Sequence, residues 1–295
     1  MTAPAPAFLA IVNPAAGNGA GKRLAPILAD RYRAAEMRIE VQVTPGPGEA
    51  ARLASEAADD GYDVVIAVGG DGTANEVANG LIGTRTALAL HPIGTGNDLA
   101  RGLGYPRRSE DIPRFLASAR PRVIDVGEVN GRIFVNAAGV GIDGVIAEGV
   151  PGSTRFFGPT LGYLAGALVA IATYTPVRMR TTIDGVVRDG RQLIVVASNG
   201  RFFGNGMRPA PNAELDDGWL DITVADDIGK LATLGALARL YRGTHANGTT
   251  IRAVRARALT IELDRPMPIE VDGEILRAAS IAIGIRPQAL TVLAG

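Results

Sequence analysis

Five short runs gather the residues whose types and spacing can do chemistry. The densest is VGGDGTANEVANGL, Val68 to Leu81. Glycines at 69, 70 and 72 let backbone N–H groups come close to a phosphate. Thr73 is placed to cap a following helix, whose N-terminus attracts anions. Asp71 puts a carboxylate in the same turn, where it could orient a metal-bound phosphate or take a proton from an attacking hydroxyl. PIGTGNDLAR, Pro92 to Arg101, repeats the logic, with Thr95 and Asn97 as polar contacts and Asn97–Asp98 as a helix start.

The run NPAAGNGAGKR, Asn13 to Arg23, looks at first like a nucleotide phosphate loop ending in lysine. Counting back from Gly21–Lys22, the first glycine of a Walker A motif falls on Ala16, and its metal-binding hydroxyl falls on Arg23. Both ends fail, and the spacing of Gly17, Gly19 and Gly21 fails the dinucleotide pattern too. A strand-to-helix turn is the plain alternative. The last two runs are acidic. Glu214, Asp216 and Asp217 could hold a hard cation through oxygens, although an isolated DDG is more often a surface turn. Asp272 and Glu274 flank a glycine that reads as a hairpin tip, and a carboxylate pair there could also serve as general base.

The elements that must position these runs change character along the chain. Up to about Val123, apolar strands (Phe8–Val12, Ile39–Val43, Asp63–Val68, Ala87–Ile93) alternate with helices. One helix sets Leu24, Ile27 and Leu28 on one side, a second sets Leu53, Ala54, Ala57 and Ala58, and a third runs from Asn75 to Leu81. That alternation predicts a parallel sheet covered on both faces, with ligands at the carboxyl ends of its strands, where all three glycine-rich runs fall. Later segments follow one another as strands: Arg132–Ala138, Val177–Ile183, Gln192–Ala197, Trp219–Ala225, Ala258–Leu263, Met267–Val271 and Ser280–Ile285. Asp184–Gly185 marks a hairpin, and helices are expected around Thr160–Thr173 and Gly229–Arg242. This part reads as a largely antiparallel sandwich.

Composition narrows the function classes. The chain has 295 residues, 47% of them apolar and only 5% aromatic, which suits two domains with aliphatic cores. Thirty basic and thirty acidic residues leave no net charge, so nothing favours nucleic acid as a partner. The absence of cysteine excludes disulfides, thiolate metal sites and a cysteine nucleophile. The start, MTAPAPAFLAIVNP, lacks a charged n-region and reads as a first strand rather than a signal peptide. Leu161–Thr173 is too short to span a bilayer as a helix. The expectation is a cytoplasmic protein, with contact at the inner membrane face left open.

Taken in order, the five runs resemble the diacylglycerol kinase catalytic-domain family, the lipid kinases that include bacterial diacylglycerol, sphingosine and ceramide kinases. GGDGT–NE–NGL followed by PIGTGND is the most specific part, and FFGNGMRPAPNAELDDGWLD and VDGE match the bacterial branch. The resemblance spans nearly the whole chain. It implies an α/β nucleotide-binding domain of the NAD-kinase/phosphofructokinase kind, residues 1–124 plus 286–295, and a mainly antiparallel β-sandwich lipid domain, residues 125–285. It implies ATP and Mg²⁺ as cofactors, with ATP in the cleft between domains. Nucleotide and phosphate contacts would come from Asn13, Pro14, Ala15, Ala16, Gly17, Thr44, Gly69, Gly70, Asp71, Gly72, Thr73, Ala74, Asn75, Glu76, Thr95, Gly96 and Asn97. A Mg²⁺ site would use the carbonyls of Glu214 and Trp219 with the Asp217 carboxylate. The base role falls to Glu274 or Asp272, with Asp71 a further candidate.

Such a protein would phosphorylate a lipid hydroxyl, with diacylglycerol the default acceptor. Phosphatidylglycerol, a sphingoid base or another lipid remain open, and so does a homodimer. An NAD kinase shares GGDGT, and a non-catalytic regulator on a kinase scaffold is the alternative outside enzymes. Lys22, Arg23 and Arg101 are the nearest candidate cations for the phosphates. Phe156, Phe157 and Tyr163, beside or within the apolar run Leu161–Thr173, would either line a chain-binding groove or belong to a core helix. Arg201, Arg208, Arg252, Arg255 and Arg257 could face anionic headgroups or only solvent.

Overall fold

The computed structural model describes residues 6–149 and 158–295, and of residues 158–165 the backbone alone. The chain divides into two compact units, Met1–Asp125 with Pro287–Gly295, and Val126–Arg286. Phe156, Phe157 and the side chain of Tyr163 lie outside what is described.

The first unit alternates β1 (Phe8–Val12), α1 (Ala16–Arg33), β2 (Ile39–Val43), α2 (Glu49–Asp59), β3 (Val64–Gly69), α3 (Asp71–Leu81), β4 (Ala87–Pro92), α4 (Asp98–Gly102) and α5 (Ile112–Ser118). β5 (Arg120–Val129) leads out of it. β1 lies parallel between β2 and β3, and β3 pairs parallel with β4. Strands buried on both faces read as unbroken apolar runs, and β3 is buried at every residue. On α1 the buried stripe is Gly21, Leu24, Leu28 and Tyr32. Ile27, expected on that stripe, is exposed, because the i, i+4 row through Leu24 and Leu28 continues to Tyr32 and leaves Ile27 beside it. The Tyr32 hydroxyl meets His91 Nδ1 at 3.0 Å, and His91 Nε2 meets Ser109 Oγ at 2.7 Å.

The second unit contains β6 (Arg132–Phe134), β7 (Ala137–Gly141), α6 (Ile142–Glu148), α7 (Gly158–Thr173), β8 (Val177–Ile183), β9 (Val186–Ser198), β10 (Leu220–Asp226), α8 (Lys230–Arg242), β11 (Ile251–Ala256), β12 (Ala258–Val271) and β13 (Glu274–Ala294). The last residues of β13 belong to the first unit, where Val292 pairs parallel with Leu88 of β4. β5–β6, β7–β9, β7–β12, β8–β9, β8–β12, β9–β10, β10–β11 and β12–β13 all pair antiparallel. β8 joins the first halves of β9 and β12, and β7 joins their second halves. Val140, Met179, Val195, Ile222, Leu259 and Ile269 are among the side chains of its main core. No helix among the described residues is long and apolar enough to cross a membrane.

Several segment boundaries differ from the sequence reading, most of all among the later strands. The strand expected over Arg132–Ala138 is broken at Val135–Asn136, where the Asp272 carboxylate, not a neighbouring strand, takes the N–H groups. Ala258–Leu263 and Met267–Val271 are one strand, interrupted by a register shift between Glu262 and Met267. Ser280–Ile285 is the middle of the 21-residue β13. Three tight hairpins have left-handed residues at the two turn positions, Asn130–Gly131, Asp184–Gly185 and Asp272–Gly273, and the sequence reading had marked the last two.

Candidate active site

In the first unit the three glycine-rich runs are laced together at the carboxyl ends of β1, β3 and β4. Gly17, Asn18 and Gly19 all have positive φ, so α1 begins in earnest only after them. A Cβ on Gly17 would lie 2.2 Å from the Ile93 carbonyl oxygen, so only glycine lets this turn lie against the loop that follows β4. The Asn13 side chain donates to Thr73 Oγ1 at 3.0 Å and accepts from the Ala15 N–H at 3.0 Å. The Pro14 carbonyl accepts from the Lys22 N–H at 3.2 Å, and the Ala16 N–H returns to the Asn13 carbonyl at 3.2 Å.

Thr73 is not the helix cap. α3 starts at Asp71 with Gly70 in the cap position, so Thr73 lies inside its first turn. A glycine cap offers no side chain to the first-turn N–H groups at Gly72 and Thr73, which leaves the helix end without a side-chain cap. Gly69 is as tightly placed, since a Cβ there would sit 2.3 Å from Thr73 Oγ1. The next loop packs on this one, and a Cβ on Gly94 would lie 2.6 Å from Gly70 Cα. Asn97, at φ 50°, closes that loop by accepting from the Gly94 N–H and donating to its carbonyl. Thr95 stands exposed at the tip, and the Gly96 carbonyl accepts from Arg101 at 3.2 Å.

Asp71 ties the two loops. Its Oδ1 accepts from the Leu99 N–H at 3.3 Å. Burial raises its pKa, opposed by N–H groups at Leu99, Asp98, Asn97 and its own residue. The remaining sequence candidates support the rim from behind. Glu76 Oε2 accepts from the Ala50 N–H, holding the start of α2. Asn75 is buried and accepts from Asn79, and Ala74 is buried on α3. The Thr44 N–H bonds the Val12 carbonyl at 2.9 Å, which places Thr44 at the end of β2 beside the β1 turn.

In the second unit the two carboxylates of the hairpin tip do different things. Asp272 is buried and accepts from three backbone N–H groups, at 2.6 Å from Val135, 3.1 Å from Asn136 and 2.9 Å from Ala137. Glu274, half-buried, forms an ion pair with Arg132. The proposed cation site is arranged otherwise. Asp217 Oδ1 accepts from the Trp219 N–H at 3.0 Å, and its Oδ2 pairs with Arg255. The Arg255 and Arg257 guanidinium groups lie over the Trp219 ring, at 5.6 and 4.5 Å from its centre. The Asp217 carboxylate, the one side-chain ligand expected for Mg²⁺, is thus engaged through both oxygens. Among the described residues no three Asp, Glu or His side chains group as a metal site.

Two residues of the second unit escaped the sequence reading, and the first lies at a cavity. α6, α7 and α8 enclose a cavity of about 100 Å³ against β9 and β10, lined by side chains such as Ile146, Ile171, Leu193 and Ala236. Asp143 stands in its wall. Neither oxygen of that buried carboxylate has a hydrogen-bond partner. Burial pushes it up to about 7, with the first N–H groups of α6 pulling the other way. Its side chain folds back over β7, so that a Cβ on Gly139 would collide with Asp143 Oδ2. Arg132 was missed as well. The signal for Asp143 was available: GVGID, with glycines on both sides of Val140, is a strand end built for close approach.

Residues 7–129 match the family described as the diacylglycerol kinase catalytic domain. Residues 136–294 match the one described as the YegS C-terminal NAD kinase beta sandwich-like domain. The chain is 30% identical over 269 residues to the diacylglycerol kinase of Bacillus subtilis (strain 168), covering 90% of this chain and 88% of that one. The chain belongs to the diacylglycerol kinase catalytic-domain family. Another relative, "Probable lipid kinase YegS-like" of Pseudomonas aeruginosa (strain PAO1), is 32% identical over 94% of this chain and 91% of its own. The solved structure of a diacylglycerol kinase from Bacillus anthracis str. Sterne aligns with a TM-score of 0.77 at 26% identity, over all of this chain and 98% of that one. Within this family, the glycine-rich rim and the cavity around Asp143 are the two features of the chain with a chemistry to assign.

Proposed function

We propose that this member of the diacylglycerol kinase family transfers the γ-phosphoryl group of ATP to a lipid hydroxyl, diacylglycerol foremost, in a reaction that needs Mg²⁺. The observation that carries the acceptor assignment is the apolar cavity with the unpartnered Asp143 in its wall. A hydrocarbon chain gains by filling such a space, whereas a dinucleotide acceptor would leave its polar groups unpaired there. Empty cavities of about 150 Å³ take up a molecule of benzene's size, so this one suits the first methylenes of a chain.

ATP, when bound, supplies the phosphoryl group, and Mg²⁺ on its phosphates offsets their charge. The rim fits such a donor because glycines bring its backbone close and the α3 N-terminus has no side-chain cap. Gly69, Gly70, Gly72 and Thr73 hold phosphate oxygens through N–H groups, and Thr95, Gly96 and Asn97 complete the rim. Asn13 to Gly17 and Thr44 hold the nucleotide. Asp71, Ala74, Asn75 and Glu76 keep these loops in place. Lys22, Arg23 and Arg101 are auxiliary cations.

Glu274 is the general base. It is the reachable carboxylate of the hairpin tip, and Arg132 orients it. Asp272 positions the Val135–Ala137 segment and does not take the proton, because its oxygens already serve three N–H donors. Asp143, whose protonated form burial favours, donates a hydrogen bond to an oxygen of the lipid head while the chain enters the cavity.

The test is transfer of labelled phosphate from ATP, with and without EDTA, to micellar diacylglycerol or to NAD. The expected product is phosphatidic acid, formed only with free Mg²⁺. Glu274→Gln should lower turnover by about 10²–10⁴-fold at unchanged ATP affinity. NADP formation without a lipid product contradicts the proposal. A Glu274→Gln variant with full activity beside an inactive but folded Asp272→Asn variant moves the base to Asp272.

A further inference from the structure

The helices that wall the cavity are apolar on both sides. Thr233, Ala236, Leu237 and Leu240 of α8 and Ala167 and Ile171 of α7 face the cavity. On the other side, Leu231, Leu234 and Tyr241 of α8 and Leu168 and Val169 of α7 are exposed, Leu231 at 86%. The two helices pack on each other, so these five side chains belong to one helix pair. That is more large apolar side chains left in water than among the described residues of the first unit, where they are Ile27, Val43 and Val123.

The charges around this face have one sign. Neither helix contains an acidic residue, and α8 carries Lys230, Arg239 and Arg242. The Lys230 ammonium donates to the Ala172 carbonyl near the end of α7, which fixes it at the seam between the helices. Among the described residues no carboxylate pairs with Arg239 or Arg242. The nearest acidic residues before α8, Asp226 and Asp227, already lie beside Arg252 and Arg191.

We propose that the outer face of α7 and α8 docks on an anionic bilayer. Exposed leucines and an aromatic ring, flanked by unopposed cations, suit a helix lying in the headgroup layer with its apolar side inserted. A second copy is a poorer occupant, because a two-fold contact would bring the same cations together. This inference rests on the proposed lipid acceptor site, since the same helix pair separates that cavity from the bilayer. A lipid would then reach Asp143 without crossing water.

The experiment is flotation with unilamellar vesicles of phosphatidylcholine, alone or with about one-third phosphatidylglycerol, using the full chain. Wild type should float with the anionic vesicles and be released by salt. Leu231→Asp/Leu234→Asp and Arg239→Glu/Arg242→Glu should each reduce partitioning about tenfold or more. Neither should alter turnover of a water-soluble, short-chain diacylglycerol. Flotation equal to wild type in both double variants overturns the docking face. So does a loss of self-association in the leucine variant with flotation unchanged, which would mark the face as a contact between copies. Flotation as expected, with no phosphorylation of the short-chain lipid, leaves the docking face standing and removes the kinase reading.

Discussion

His91 in the first unit and Asp143 in the second are both buried, and burial favours the neutral form of each, yet they differ in company. His91 is bonded on both ring nitrogens, to Tyr32 and to Ser109, and burial and the nearby Arg31 lower it to about 4. Asp143 has no hydrogen-bond partner, and burial raises it to about 7. The first is explained by the fold, because it joins α1, β4 and the Ser109 turn. The second is a cost that the fold alone does not repay. Unpartnered polar groups point to a missing ligand, and partnered ones to architecture. The same contrast separates the rim, whose polar side chains bond each other and the backbone, from the cavity, which is apolar apart from a few polar groups.

The largest expected effect strikes the rim. Gly94→Val has no room beside Gly70, so it should part the two phosphate loops and weaken ATP binding by about a hundredfold in titration calorimetry. The second unit should keep its fold, and a loss of lipid binding as well would blur the division of labour. Next comes Asp272→Asn, which weakens three charge-assisted bonds to Val135–Ala137 and should cost roughly 3 kcal/mol in denaturant unfolding.

The two buried titratable groups give opposite pH trends. His91 has a lowered folded pKa, so the unfolded chain binds more protons between about 4 and the usual 6.5. Its contribution is therefore full above that window and lost as pH falls through it, about 2 kcal/mol from pH 7 to pH 5. Asp143 has a raised folded pKa, so its contribution is full below the usual carboxylate range and lost as pH rises toward and through about 7. Between pH 6 and pH 8 that loss is about 1 kcal/mol. Unfolding of His91→Gln should lose the acid-side slope, and Asp143→Asn the alkaline-side slope. Identical pH profiles for both variants would erase the distinction drawn between them.

What was legible in the sequence follows the same line. Gly17, Asn97, Asp184 and Asp272 stand at positive φ, and such positions are local demands that select Gly, Asn and Asp wherever they occur. The three loops and both hairpins could therefore be read in order. Thr73 was misplaced by three positions in its helix because Gly70, not Thr73, is the cap, and propensity alone does not fix a first turn. Asp272 was read as a base candidate, and its bonds to Val135–Ala137, 135 or more residues away, come only with the fold. Arg132 was invisible for that reason too, and GVGID marked a close approach before Asp143 without showing what surrounds its carboxylate. The meaning of each lies in a partner, or the lack of one, brought by a distant segment.

The most direct test of the account fills the cavity. Ala236→Phe places a ring in the space that Asp143 overlooks and leaves the glycine rim untouched. The account predicts that kcat/KM for diacylglycerol falls by about a hundredfold, with the ATP dissociation constant unchanged and the thermal midpoint held or raised. Wild-type turnover of diacylglycerol by a folded Ala236→Phe protein would contradict it.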